Sequence, residues 1–293
     1  RNLKDLALSR KVNGQMLTTD ENGRLQGEIN LTNDQENVGF KTFPYLETQM
    51  GTLPLRVGFS SDTVSMKLPE RFDSYQRFWL TAQSEGYDII PLVEWVRDPE
   101  TLATEKVLIL QHNVDYDTLT TRAMAWIDHI TGIQTTYHLR DWLASESLVS
   151  YLRDLGHEVG YRYNALGLYT ERMSIFTTEE LTEAVIDSAR QLLKQNILDF
   201  EARLGDIETI ASVESDPNLF LRVSNATLTN GQNPEDYSVE GFGTQIAWYE
   251  ERIKGVITEE GGDWSPEPLI DTISAQLYPL YVLIHPVEWQ PTY

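Results

Sequence analysis

From Asp73 to the C-terminus, short apolar runs alternate with segments of helical periodicity, and this alternation limits the fold more than any other feature of the chain. Val107 to Leu110 is a continuous apolar run, as expected of a strand covered on both faces. A helical pattern over Thr118 to Ile130 and a strand-like run over Thr135 to Leu139 follow it. Such alternation predicts a parallel sheet in a deformed (β/α) barrel, with its chemistry at the C-terminal ends of the strands.

Further elements are expected on both sides of this region. The longest helix is expected to start at the capping box formed by Thr177 and Glu180 and to end before Gly205, which suits a left-handed C′ position. The other predicted helices are Ser74 to Glu85 and Glu146 to Leu155, and the other predicted strands are Ile89 to Leu92, Glu158 to Tyr161, Ile207 to Ala211, Leu219 to Val223, Thr244 to Trp248 and Tyr281 to Ile284.

The first part of the chain differs in character. It is rich in Asn, Thr, Gly and Gln, with turn signals such as Asn13-Gly14 and Asn22-Gly23, and Arg24 to Leu31 alternates like a strand. We therefore expect a small β-rich segment over residues 1–68 and the barrel over residues 69–293.

The charge of the chain limits its partners. Asp and Glu total 45 against 23 Lys and Arg, a formal net charge of −22, which repels the phosphates of nucleic acid. The acidic residues indicate either a solvated surface or attraction for a glycan that bears free amines. No run of 18 or more apolar residues is present, so no membrane span is expected.

Three predicted strand ends carry polar residues. They are Gln111 to Asp117, Gly156 to Leu166, and Tyr281 to Pro286, where an apolar strand ends on His285. In this order the three resemble the signature motifs of polysaccharide deacetylases, the carbohydrate esterase family 4 type. The resemblance covers Asp73 to Trp289, about three quarters of the chain.

The resemblance implies metal-assisted hydrolysis of an acetamide. In the family one Asp and two His hold a divalent ion, commonly zinc. A second Asp takes a proton from the attacking water, and a His protonates the leaving amine. On this pattern Asp115 falls on the metal-ligand Asp, Asn113 on the base and His285 on the proton donor.

Three of these positions hold residues that cannot do the family's work. Asn113 is an amide with no useful basicity. Arg162 stands where the first ligand His belongs, and a guanidinium has no lone pair for a cation. Leu166 occupies the second ligand position. No metal cofactor is therefore expected, unless zinc or another divalent ion is held at Asp115 by a rebuilt site. We hypothesise that Arg162 replaces the metal as the partner of Asp115.

Aromatic residues are also candidates for binding a sugar. Tyr161 and Tyr163 flank Arg162, and Trp264 lies in a loop rich in Gly, Asp, Ser and Pro, so these three join Arg162 as predicted substrate-binding residues. Most of the aromatics in the barrel region, a set that includes Trp142, are expected to pack in the core or at the barrel rim.

The resemblance and the departures from it therefore imply a carbohydrate-associated protein with a dismantled metal site. It is expected to be inactive as a standard deacetylase and either to bind a glycan or to serve as a structural or partner-binding domain. An alternative is an active hydrolase that uses relocated ligands such as His112, His138 or a carboxylate, or that uses no metal. Another is a glycosidase with paired carboxylates drawn from Asp115, Asp117 and Glu158. His157 is expected to be structural. The family resemblance favours an extracellular or cell-envelope location.

Overall fold

The computed structural model describes residues 70–213, 224–243, 252–258 and 271–289, together with six short strands among the first 69 residues. The chain divides into two compact units, residues 1–73 and 74–293. The strands of the first unit form antiparallel pairs: β1 (Lys11–Val12) with β2 (Gln15–Met16), β3 (Thr18–Thr19) with β4 (Leu25–Gln26), and β5 (Val38–Thr42) with β6 (Arg56–Ser60).

A curled parallel sheet with accompanying helices follows. In chain order the elements are α1 (Glu70–Ser84), β7 (Asp88–Ile90), α2 (Leu92–Arg97), α3 (Pro99–Leu102), β8 (Val107–Val114), α4 (Thr118–Ile130), β9 (Thr136–Arg140), α5 (Glu146–Asp154), β10 (Glu158–Tyr163), α6 (Ala165–Arg172), α7 (Glu183–Leu204), β11 (Thr209–Ser212), β12 (Gly241–Phe242), β13 (Gly255–Thr258) and β14 (Leu280–Ile284). Among the described helices, none has the length and apolar character needed to cross a membrane.

The strand order is β12-β11-β10-β9-β8-β14-β13, with every pair parallel, and β7 pairs with the first residues of β8. This arrangement is the deformed (β/α) barrel that the alternation predicts. Because all the strands run the same way, their C-terminal ends meet at one edge, where the predicted polar motifs lie.

Most predicted elements are present, with shifted ends. Helix α4 has the predicted bounds, and the Asp117 side chain caps it by accepting from the Leu119 and Thr120 backbone N–H groups. Strand β8 runs four residues beyond the predicted Leu110, and all eight of its residues are buried. The predicted strands over 219–223 and 244–248 lie outside the described residues.

The predicted start of the longest helix is wrong. Glu180 does accept from the Thr177 backbone N–H at 3.0 Å, but the turn that it closes is a single 3-10 turn. Thr182 is extended, and α7 begins after it, at Glu183. The helix ends as predicted, because Gly205 has a positive φ of 84°, a backbone conformation that favours glycine.

Alternation along the strands divides the side chains between the barrel interior and the helical layer. On β10, Tyr161 packs against Phe200 of α7 with ring centroids 5.0 Å apart, so Arg162 points the other way, into the interior. An apolar cluster fills the interior around the first residues of β8 and β14. Its members are Ile90, Leu92, Trp95, Val107, Ile109, Ile253, Tyr281 and Leu283.

A buried polar cluster lies on the outer face of β8 and β9. The Tyr75 and Tyr137 hydroxyls donate to the two oxygens of Asp128, each at 2.7 Å. His112 lies 2.8 Å from the Tyr75 hydroxyl and 3.2 Å from that of Thr135. Burial raises the pKa of Asp128 to about 7 and lowers the pKa of His112 well below 6.5. The cluster is therefore uncharged in mildly acidic solution.

This cluster makes stability depend on pH. The folded-state pKa of Asp128 lies above its ordinary value of 3.8, so the stability that this group contributes is lost as pH rises towards 7. Asp128→Asn removes the effect. Its Oδ1 accepts from one tyrosine hydroxyl, and its NH2 group can donate to the hydroxyl oxygen of the other. We expect the free energy of unfolding of the variant, relative to the wild type, to increase by on the order of 2–3 kcal/mol from pH 5 to pH 8.

Urea denaturation at both pH values measures this difference, and His112 is present in both proteins, so its own titration largely cancels. A difference that does not change with pH would mean that Asp128 titrates alike in the folded and unfolded chains.

Candidate functional site

The C-terminal edge of the sheet brings together polar residues from three strands. Asn113 of β8 and His138 of β9 are neighbours in register, and Gly160 of β10 is the next neighbour of His138. One step further towards the edge, Arg162 is in register with Arg140. These residues form the inner wall of the barrel mouth.

An ion pair joins two of the predicted site residues. Asp115 follows β8, Arg162 lies on β10, and Arg162 Nε is 2.9 Å from Asp115 Oδ1. The side chains retain only 7% and 15% of their exposure, so bulk water screens the pair weakly. The predicted contact between Asp115 and Arg162 is therefore present.

His285 follows β14 at the same edge. Burial and the positive charge of Arg162 lower the pKa of His285 to about 4, while Asp115 opposes the shift. His285 is thus neutral at neutral pH, and a neutral imidazole is not poised to give a proton to a leaving amine.

Asn113 belongs to a chain of hydrogen bonds on the inner wall. Its Oδ1 accepts from the Gln111 amide at 2.8 Å, and Gln111 Oε1 accepts from the Tyr281 hydroxyl at 2.6 Å. The Asn113 side chain is fixed as an acceptor within the protein. It offers neither charge nor basicity to a water molecule.

His138 fills the space beside Gly160. Its Nε2 is 2.9 Å from the Thr209 hydroxyl, and burial together with the charge of Arg162 lowers its pKa to about 3. A Cβ on Gly160 would lie 2.6 Å from the Thr209 carbonyl oxygen and 2.7 Å from His138 Nε2. The absence of a side chain at Gly160 is what allows His138 and β11 to approach.

Gly160→Ala is therefore expected to destabilise the protein by about 2–3 kcal/mol, since the backbone carbonyl of Thr209 cannot move aside freely. Gly132→Ala is the matched control. An added Cβ there meets nothing within 4 Å, so its cost is limited to strain at a φ of 76°, about 1 kcal/mol. Urea denaturation compares the two, and equal losses would contradict the packing argument.

The residues at the family's metal positions do not fit a metal ion. Asp115 is paired with a guanidinium, and a zinc ion on the same carboxylate would lie against that positive charge. Leu166 is buried in the first turn of α6 and has no donor atom. Within the residues that the structure describes, no three His, Cys, Asp or Glu side chains are grouped as metal ligands.

The histidines named as relocated ligands do not converge on Asp115. His112 lies on the outer face of β8, stacked on Tyr137 with ring centroids 4.3 Å apart. His138 faces inward but is bonded to Thr209. His157 is structural, as predicted, with Nε2 2.9 Å from the Ala125 carbonyl oxygen.

The carboxylates proposed as a glycosidase pair are also separated. Asp117 caps α4, where it accepts from two backbone N–H groups. Glu158 lies four residues before Arg162, about 13 Å along β10. There it accepts from the Val93 backbone N–H and from the hydroxyls of Thr136 and Thr209. Neither residue faces Asp115 across the mouth.

Tyr161 and Tyr163 are packed inside the protein, with 3% and 1% of their surface exposed. Tyr161 contacts Phe200, and the Tyr163 hydroxyl bonds to that of Thr229 at 2.9 Å. This corrects the expectation that the two rings stack on a sugar. Trp264 lies outside the described residues.

A different aromatic pair lies at this edge. Tyr116 and Trp142 follow β8 and β9, and their ring centroids are 5.7 Å apart. Both rings are exposed, so Trp142 is an exception to the expectation that most of these aromatics are packing. Sequence alone does not identify the pair, since it depends on β8 and β9 being neighbours in the sheet. The usable signal is that both residues fall in loops between a predicted strand and the helix predicted after it.

Comparison with known proteins gives structural matches only. No protein-family model matches the chain, and no curated protein sequence is similar to it. Two solved structures of BA3943 from Bacillus anthracis, described as a CE4 family pseudoenzyme, match with TM-scores of 0.40 at 16% and 14% identity; the second is a mutant with restored enzymatic activity. Each match covers 63% of this chain and 56% or 58% of the other, less than two thirds of its length.

A family 4 carbohydrate esterase from Bacillus anthracis matches with a TM-score of 0.37 at 11% identity, covering 72% of this chain and 77% of that one. By structure, this chain is similar to carbohydrate esterase family 4 proteins, an esterase and a pseudoenzyme among them.

Proposed function

We propose that the protein is a deacetylase-like, carbohydrate-associated protein that binds a glycan and does not carry out metal-dependent deacetylation. The observation that carries this proposal is the ion pair between Arg162 and Asp115. It gives the carboxylate a built-in cation at the position where the family holds its metal.

The electrostatics of the mouth support the proposal. A buried carboxylate needs a partner, and Arg162 supplies one permanent positive charge without a metal. A divalent ion that bound Asp115 would have to displace Arg162 and leave its guanidinium without that carboxylate. Displacing Arg162 therefore costs free energy, and a metal ion with few other protein ligands does not form enough new bonds to offset that cost.

The proton-transfer groups support it as well. The base position is an amide already bonded to Gln111. The acid position is His285, whose pKa of about 4 leaves it a neutral imidazole at neutral pH. Hydrolysis of an acetamide requires both a base and an acid, and neither position meets its requirement.

The test measures turnover and binding on the same protein. Acetate release from an N-acetylated glucosamine hexamer is followed with added zinc, cobalt or nickel, and with chelator. Calorimetry measures binding of the N-acetylated hexamer and of its fully deacetylated counterpart. We expect no release above a heat-denatured control, and binding of glycan that chelator does not change. Acetate release that disappears with chelator and in Asp115→Ala would overturn the proposal.

A further inference from the structure

Two large aromatic rings are exposed at the barrel mouth. Tyr116 is 55% exposed and Trp142 is 60% exposed, with their ring planes tilted by 50°. Tyr116 directly follows Asp115 in the chain, and Trp142 comes two residues after the end of β9. Both rings therefore lie at the edge of the sheet that holds the ion pair of Asp115 and Arg162.

Packing does not explain this placement. The tryptophans that stabilise the fold are enclosed: Trp79 and Trp95 have no exposed surface, and Trp289 retains 1%. Trp142 leaves more than half of its surface in water, and its recorded ring contact is with Tyr116, which is itself exposed. Adjacent exposed aromatics beside a polar mouth are typical of a surface that a ligand covers.

We propose that Tyr116 and Trp142 form a platform that stacks on the pyranose rings of a glycan bearing free amines. This inference rests on the proposed function and names the surface and the chemistry of the ligand. The ring faces contact the apolar C–H face of a sugar, and their negative quadrupoles attract a nearby ammonium group.

Charge selects this ligand over others that stack on aromatics. The bases of single-stranded nucleic acid also stack on such rings, but proteins that bind these strands have a positively charged groove for the phosphate backbone. The net charge of −22 repels a polyanion and attracts an amine-bearing chain. At the mouth, Asp115 and Asp117 flank Tyr116 in the sequence, and Asp141 precedes Trp142.

Two of these carboxylates already have arginine partners. Asp115 is paired with Arg162, and Asp141 with Arg203. The expected preference for an amine-bearing glycan therefore comes from the aromatic rings and from the negative electrostatic field of the whole protein. It does not come from an unpaired carboxylate at the mouth. Because surface fields are screened by salt, binding of the amine-bearing glycan is expected to weaken as salt rises.

The test is calorimetric titration of the full chain with a hexamer of β-1,4-linked glucosamine. Its N-acetylated counterpart and an acidic oligosaccharide of equal length are compared. The variants are Trp142→Ala and Tyr116→Ala, both at exposed positions that do not hold the core together. Trp126→Ala is the control, since Trp126 is partly buried on α4, about 12 Å along the helix from its first residue.

We expect each platform variant to bind the glucosamine hexamer about tenfold more weakly than wild type, with no change in Trp126→Ala. We also expect weaker binding of the N-acetylated hexamer and no binding of the acidic one. Wild-type affinity in both platform variants would overturn this inference and leave the proposed function standing. Equal affinity for both hexamers would overturn the preference for amines. If the wild type binds neither hexamer, the inference and the glycan-binding part of the proposed function fail together.

Discussion

Replacing Arg162 with leucine is expected to lower the free energy of unfolding by about 3 kcal/mol, because the change leaves the Asp115 carboxylate nearly buried without its cation. The loss comes mainly from desolvation of the remaining charge, since the leucine fills part of the same volume. Urea denaturation at neutral pH measures it.

Two controls separate this effect from a loss of surface charge. Arg203→Leu breaks the ion pair with Asp141, in which both side chains are about half exposed, and should cost at most about 1 kcal/mol. The double variant Asp115→Asn/Arg162→Leu removes both charges and should recover most of the stability. A loss in Arg162→Leu no larger than that in Arg203→Leu would contradict the assignment of Arg162 as the essential partner of Asp115.

Restoring two histidines is expected to create a metal site. Arg162→His with Leu166→His removes the guanidinium and places a histidine at each of the two ligand positions. Together with Asp115, the two histidines make the three protein ligands of a catalytic zinc site. We expect near-stoichiometric zinc after desalting, and stabilisation of about 2.7 kcal/mol when free zinc is a hundred times its dissociation constant. Thermal unfolding with and without zinc measures the second effect.

The single variant Arg162→His offers two ligands and should retain no zinc, and Asp115→Ala in the rebuilt protein should abolish binding. Absence of zinc from the double variant would show that Leu166 does not face Asp115. Adding Asn113→Asp supplies the missing base but not an acid, because burial keeps His285 neutral, so this triple variant is expected to bind zinc without releasing acetate.

Local sequence predicts most of the helices and strands of the barrel, but it predicts the residues at which they begin and end less accurately. Apolar periodicity and the cap at Asp117 define α4 without reference to other parts of the chain. The end of β8 differs from the prediction because Gln111 to Val114 are covered by other elements, and tertiary burial outweighs their polar character. The capping box at Thr177 differs because a capping box stabilises one turn and does not require that the helix continue.

Alternation along β8 and β10 predicts which side chains of the site face the barrel interior. Alternation separates Asn113 from His112, and the structure has them on opposite faces. The same rule, applied to β10, sends Tyr161 and Tyr163 to the face opposite Arg162, where they are buried. The pair of Tyr116 and Trp142 and the cluster around Asp128 depend on contacts between distant elements, which local patterns do not contain.

Metal content is the most direct test of whether Arg162 has replaced the metal. The purified wild type and Asp115→Ala are incubated with zinc, cobalt or nickel, desalted and measured by plasma mass spectrometry. If Arg162 is the partner of Asp115, neither protein retains metal above the desalting blank. Near-stoichiometric metal in the wild type that disappears in Asp115→Ala would contradict the account, because Asp115 would then be a metal ligand.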